Sequence, residues 1–237
     1  MVSCSAIASA RGPDSRITPT PPGEAPLAEG SPRWDRYDLI ALGIVAGFGG
    51  SVLLPLLNVP ITGDEATNLE ASFWTTWYLG GESSAHPPLF RFLIHLTARD
   101  VEPLWLLRGP VVLFAAGSLL LFSRLLRART TPGLALALTA AVALSGNHWQ
   151  HAFLQKSLWL WLLLLLAAQS SFERALAGAR SRWAHYALWA TLAMLTHYLS
   201  VAYLAGHFLH VVLSRRRELW SHVLALAPAA LAAGLLS

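Results

Sequence analysis

The sequence predicts an all-α fold: a polytopic transmembrane helical bundle of about seven spans, with short interfacial helices in its first extracytoplasmic loop. Three observations predict it. Hydrophobic residues make up 54% of the 237 positions and charged residues only 13%, about half the roughly 25% charge of an ordinary soluble domain. The apolar residues fall in runs near the ~20 residues that a bilayer core requires. The arginines gather in short segments between those runs, where the positive-inside bias puts them. This placement also argues against nucleic-acid binding, although the net charge is +4 and the pI about 9.7. The single cysteine, Cys4, excludes a disulfide framework or a cysteine-based metal site within one chain.

Residues 1–36 are rich in Pro, Ser, Gly and Ala and lack apolar periodicity, so they read as a disordered cytoplasmic tail. A cleaved export signal would put its apolar stretch near the start; here a long polar stretch comes first. The transmembrane domain then covers 37–237. Its first span is expected at about 37–57, with Gly43, Gly47, Gly49 and Gly50 allowing close helix contact. A long polar segment, 58–102, follows, within which 65–79 and 88–98 read as short amphipathic helices. Further spans are expected at about 103–123, 132–148 and 155–172, and a last one at about 219–236.

The apolar stretch 184–213 reads either as one long tilted helix or as two short ones. Arg174, Arg180 and Arg182 precede it, and Arg215, Arg216 and Arg217 follow it. If both clusters face the cytoplasm, the segment crosses an even number of times, which predicts a hairpin turning near Thr196-His197-Tyr198. The resulting seven-span topology puts thirteen of the seventeen basic residues inside and leaves Arg91, Arg99, Arg108 and Lys156 outside.

Candidate chemistry lies on the outer side. Asp64 and Glu65 directly follow the first span in Asn58-Val59-Pro60-Ile61-Thr62-Gly63-Asp64-Glu65. They read either as a helix start favoured by the macrodipole or as a general base at the membrane surface. His86-Pro87-Pro88-Leu89 combines a rigid opening to a helix with an imidazole able to bond a phosphate or a sugar hydroxyl. Arg91 and Arg99 either neutralise a lipid phosphate or anchor to headgroups. His148 and His151 share a helix face and raise the question of a metal; no nearby carboxylate completes the set. Lys156 is a phosphate contact or a snorkelling anchor. His197 falls at the outer turn of the hairpin, and His207 and His210 read as hydrogen-bonded residues deeper in a helix. A small transporter or channel would carry ionisable residues inside the spans. Essentially none occur in 37–57, 103–123 or 157–170 apart from Arg108.

The order of these motifs resembles the GT-C type membrane glycosyltransferases. The nearest resemblance is to the bacterial dolichyl-phosphate-mannose-protein mannosyltransferase-like enzymes, and a more distant one is to the lipid A aminoarabinose transferases. It runs from about residue 37 to 213, through Leu107-Arg108-Gly109-Pro110, Leu144-Ser145, Lys156 and Leu195-Thr196-His197-Tyr198-Leu199. It implies a hexosyl or pentosyl transferase in the bacterial cell (inner) membrane with a cytoplasmic N-terminus. Such an enzyme moves a sugar from a polyprenyl-phosphate donor to a glycan, lipid or protein acceptor on the extracytoplasmic face. By the same resemblance Asp64 is the catalytic base, with Glu65 its neighbour in the motif. His86, Arg91, Lys156 and His197 are substrate-binding, Lys156 facing the leaving phosphate. Relatives show a Glu-Ala-Arg-like stretch where this chain has Leu154-Gln155-Lys156, so an acid is missing. No metal ligand set is expected, and a divalent cation is the one cofactor left open. Family members carry further spans, so the chain is expected to match their N-terminal portion. The alternative from a different class is a non-catalytic membrane protein binding lipid-linked sugar or a partner subunit.

Overall fold

The structure is a computed structural model that describes residues 34–56, 88–97, 104–146 and 157–236. These residues form eight α-helices and one short 3-10 turn, with no strand among them. The helices are α1 (Arg36–Leu56), α2 (Leu89–Thr97), α3 (Leu104–Arg127), α4 (Pro132–Ala143), α5 (Leu158–Leu176), α6 (Arg182–Met194), α7 (Ser200–Ser214) and α8 (Leu219–Leu236). The fold is therefore all-α, and the stretch 184–213 is two helices meeting at residues 195–199. One helix among the described residues, over Arg108–Arg127, is long and apolar enough to cross a membrane by length and composition. The shorter apolar helices include α4 and α7.

Local chemistry explains where these helices start and stop. Asp35 caps α1: its carboxylate accepts from Tyr37 N at 2.9 Å and Asp38 N at 3.0 Å, while Asp38 accepts from Asp35 N at 3.2 Å. This reciprocal box satisfies N–H groups that the helix leaves unpaired. Thr131 caps α4 ahead of Pro132, whose missing N–H costs nothing at a first helical position. At the end of α5, Gly178 takes φ +100°. Gly178 N then donates to Ala175 O at 3.0 Å and Ala179 N to Arg174 O at 3.1 Å, the paired bonds of a Schellman stop.

Helix α3 lies between α1 and α5, α4 packs on α1 and α3, and α6 sits between α5 and α8. Helix α7 packs against α6 and α8. The first core joins Val45, Phe48 and Val52 of α1 to Phe90 and Ile94 of α2, Val111 to Leu119 of α3, and Leu160 to Leu165 of α5. The second joins Phe172 of α5, Trp183, Tyr186 and Ala190 of α6, Leu204 and Val211 of α7, and Ala225 of α8. Fully buried alanines, among them Ala115, Ala168, Ala190 and Ala193, let the helix backbones approach. The expected role of the α1 glycines is corrected. Among the described residues, a Cβ at Gly43, Gly47 or Gly50 would meet nothing within 4 Å, and one at Gly49 would lie 3.8 Å from Val112 Cγ1. Ala41, Val45, Phe48 and Val52 hold the contact face of α1 instead.

The chain runs up and down, giving the bundle two unlike ends. At the charged end, Arg127 bonds Asp35 at 2.5 Å and Asp38 at 3.1 Å, and Arg124 bonds Asp38 at 3.3 Å while lying over the Trp34 ring at 4.6 Å. Arg129 there pairs with Glu173 of α5. The turns between α3 and α4, α5 and α6, and α7 and α8 all lie at this end. The aromatic end holds the start of α2, the start of α5 and the turn at 195–199.

Candidate functional site at the aromatic end

The 195–199 turn is built by its own side chains. Thr196, fully buried, donates from Oγ1 to Leu192 O at 2.7 Å. His197 Nδ1 accepts from Leu199 N at 3.2 Å and so helps open α7. Two contacts then join this turn to distant segments. Leu89 N donates to Leu195 O at 2.9 Å, tying the start of α2 to the end of α6. Trp161 of α5 stacks on His197, centroids 4.8 Å apart, and its Nε1 donates to Ser200 Oγ at 2.8 Å. A half-buried imidazole is thus fixed between an indole face and the end of a helix hairpin.

Of the residues singled out in the sequence, His197 lies in this group, at the hairpin turn expected for it. Arg91 lies on α2, two residues after Leu89; its side chain is outside the description. Asp64, Glu65, His86, Arg99, His148, His151 and Lys156 fall outside the described residues. Leu89 follows His86 by three positions, and Trp161 follows Lys156 by five. Arg108, 2% exposed, is buried near the start of α3. His95 of α2 is a further imidazole at this end, its Nδ1 buried without a hydrogen-bond partner among the described residues. Nothing in its sequence context marked it beyond an amphipathic helix.

The interior between α5, α6, α7 and α8 is more polar than the sequence suggested. His207 is 7% exposed and bonds Tyr186 Oη at 3.1 Å through Nδ1 and Gln169 Oε1 at 2.8 Å through Nε2. Its ring stacks on Phe172 at 4.2 Å. The packing role expected for His207 therefore holds, whereas His210 is exposed, its ring edge-on to Phe172 at 6.1 Å. His222, with no exposed surface, is boxed by Phe172, Trp183, Tyr186 and Phe208, and neither ring nitrogen has a partner among the described residues. His222 escaped notice because its helix reads as a plain apolar run. No group of three His, Cys, Asp or Glu among the described residues is arranged to hold a metal ion.

Fold and site together define a two-ended all-α bundle with the stacked Trp161–His197 pair opposite an arginine-rich end. No family model matches the chain, and neither a curated protein nor a solved structure shows similarity to it.

Proposed function

We propose that the chain is a membrane glycosyltransferase, or the N-terminal module of one, taking sugar from a polyprenyl-phosphate donor at the aromatic end. The observation that carries this reading is the pair of contacts on the 195–199 turn. Leu89, just past His86, bonds Leu195, and Trp161, just past Lys156, stacks on His197. Residues flanking three of the motifs in the resemblance thus meet in space. Outward apolar side chains such as Leu54, Leu113, Leu213, Trp220, Leu224 and Leu231, all exposed, support a lipid surround and a multi-pass arrangement of about seven spans. The arginine-rich turns at the opposite end fit a cytoplasmic face.

In this reading Asp64 takes the proton of the acceptor hydroxyl, with Glu65 beside it in the motif. The hydroxyl oxygen bonds the anomeric carbon as the carbon–oxygen bond to the lipid phosphate breaks. The polyprenyl phosphate leaves with the bonding pair, and Lys156 stabilises its charge. His86, Arg91 and His197 contact donor phosphate and sugar. The test supplies a polyprenyl-phosphate sugar to membranes carrying the chain. Wild type turns over, and Asp64→Asn loses about 10²–10⁴-fold, the usual contribution of a general base. Donor binding without turnover in either protein overturns the catalytic reading and favours a non-catalytic carrier-binding protein.

A further inference from the structure

A single charge fixes the direction of every hydrogen bond in the polar interior. Glu173, held by Arg129 from the α3–α4 turn, is a carboxylate and only accepts. Gln169, one turn earlier on α5, therefore presents Nε2 to Glu173. Its Oε1 is left to accept from Tyr203 Oη at 2.7 Å and from His207 Nε2 at 2.8 Å. His207 thus carries its proton on Nε2, and Nδ1 accepts from Tyr186 Oη at 3.1 Å.

The reverse arrangement satisfies the carboxyl, the amide and both imidazole nitrogens, and frees the hydroxyl hydrogens of Tyr186 and Tyr203. With one proton added to Glu173, its hydroxyl donates to Gln169 Oε1 after a half-turn of the amide. The two Nε2 hydrogens of Gln169 then reach Tyr203 Oη and His207 Nε2. The imidazole proton moves to Nδ1 and donates to Tyr186 Oη. The whole chain gains one proton, at Glu173, and the one heavy-atom movement is the exchange of Gln169 Oε1 and Nε2 as the amide turns. Intermediate mixtures set donor against donor or acceptor against acceptor, so the chain has two states rather than a continuum.

We propose that Arg129, Glu173, Gln169 and His207 form a two-state polarity switch in which the proton on Glu173 sets the tautomer of His207 and the direction of its bond to Tyr186. The chain links the charged-end turn to α5, α6 and α7. In the reversed state the Tyr186 hydroxyl hydrogen is released beside His222, whose ring stacks on Tyr186 at 5.4 Å and has nitrogens unpaired among the described residues. The groups around the switch are Arg129, Tyr186 of α6, Tyr203 and His210 of α7, and His222 of α8. None of this rests on the transferase reading.

The test is nitrogen-15 NMR of the histidine-labelled full chain in lipid nanodiscs, with His207 assigned by its loss in His207→Gln. At neutral pH wild type shows the Nε2–H tautomer. Glu173→Gln raises the Nδ1–H fraction about tenfold, as expected when a charge-assisted hydrogen bond becomes a neutral one. Acidified wild type, which needs no substitution, inverts the tautomer in the same step that protonates the Glu173 carboxyl. An Nδ1–H tautomer in neutral wild type, a tautomer unmoved by Glu173→Gln, or an imidazolium at His207 while Glu173 is still a carboxylate overturns the proposal.

Discussion

Tyr186 has no exposed surface and bonds His207 through its hydroxyl. Tyr186→Phe keeps the ring contacts with Phe172 and Trp183 but strands the buried Nδ1 acceptor, so thermal melting should show a loss of about 1–3 kcal/mol. At the charged end, the Arg127 guanidinium holds the Asp35 carboxyl below its ordinary 3.8. A carboxyl lowered on folding contributes stability above pH 3.8 and loses it as the pH falls through the lower folded value. Asp35→Asn should therefore reduce the melting temperature at neutral pH, with the difference shrinking below pH 3.8. The sequence made His207 visible as an apolar-helix histidine. Its partners were hidden because Tyr186 and Gln169 lie 21 and 38 positions before it and reach it only once the helices pack.

Among the elements, the α5–α6 connection depends on one backbone conformation. Gly178 is the described residue with positive φ, and a Cβ there meets no neighbour, so the penalty for alanine is conformational alone. Gly178→Ala should cost about 1 kcal/mol, measured by melting, from that left-handed geometry. The hairpin of α6 and α7 was legible because arginine clusters bracket the apolar stretch, and two clusters on one face require an even number of crossings. The cap of α1 was legible in principle, as Asp35 and Asp38 stand three apart before an apolar run. The glycines of α1 misled because composition alone does not say which face of a helix meets its neighbour.

For the molecule as a whole, the opposition of two ends gives a direct topological test. With Cys4 replaced by serine, Ala179→Cys and Tyr198→Cys should react with an impermeant thiol reagent from opposite faces of sealed vesicles. Labelling of both from one face would remove the bundle from the membrane arrangement proposed for it. The all-α class was legible from composition and run length, because both report on bulk solvent preference. The candidate base and the phosphate contact, Asp64 and Lys156, were legible only through motif order, since their chemistry depends on partners brought by other segments.

The α6–α7 hairpin has a mechanical consequence for any bilayer around it. Helices of 13 and 15 residues reach about 20 and 22 Å at 1.5 Å per residue, against a hydrocarbon layer of about 30 Å. A bilayer meets such a shortfall by thinning locally. In the membrane arrangement proposed above, the dimple would open over the turn that carries His197, beside Trp161. A lipid phosphate could then descend to the protein without leaving the headgroup layer, and a bulky carrier tail would stay in the adjoining hydrocarbon.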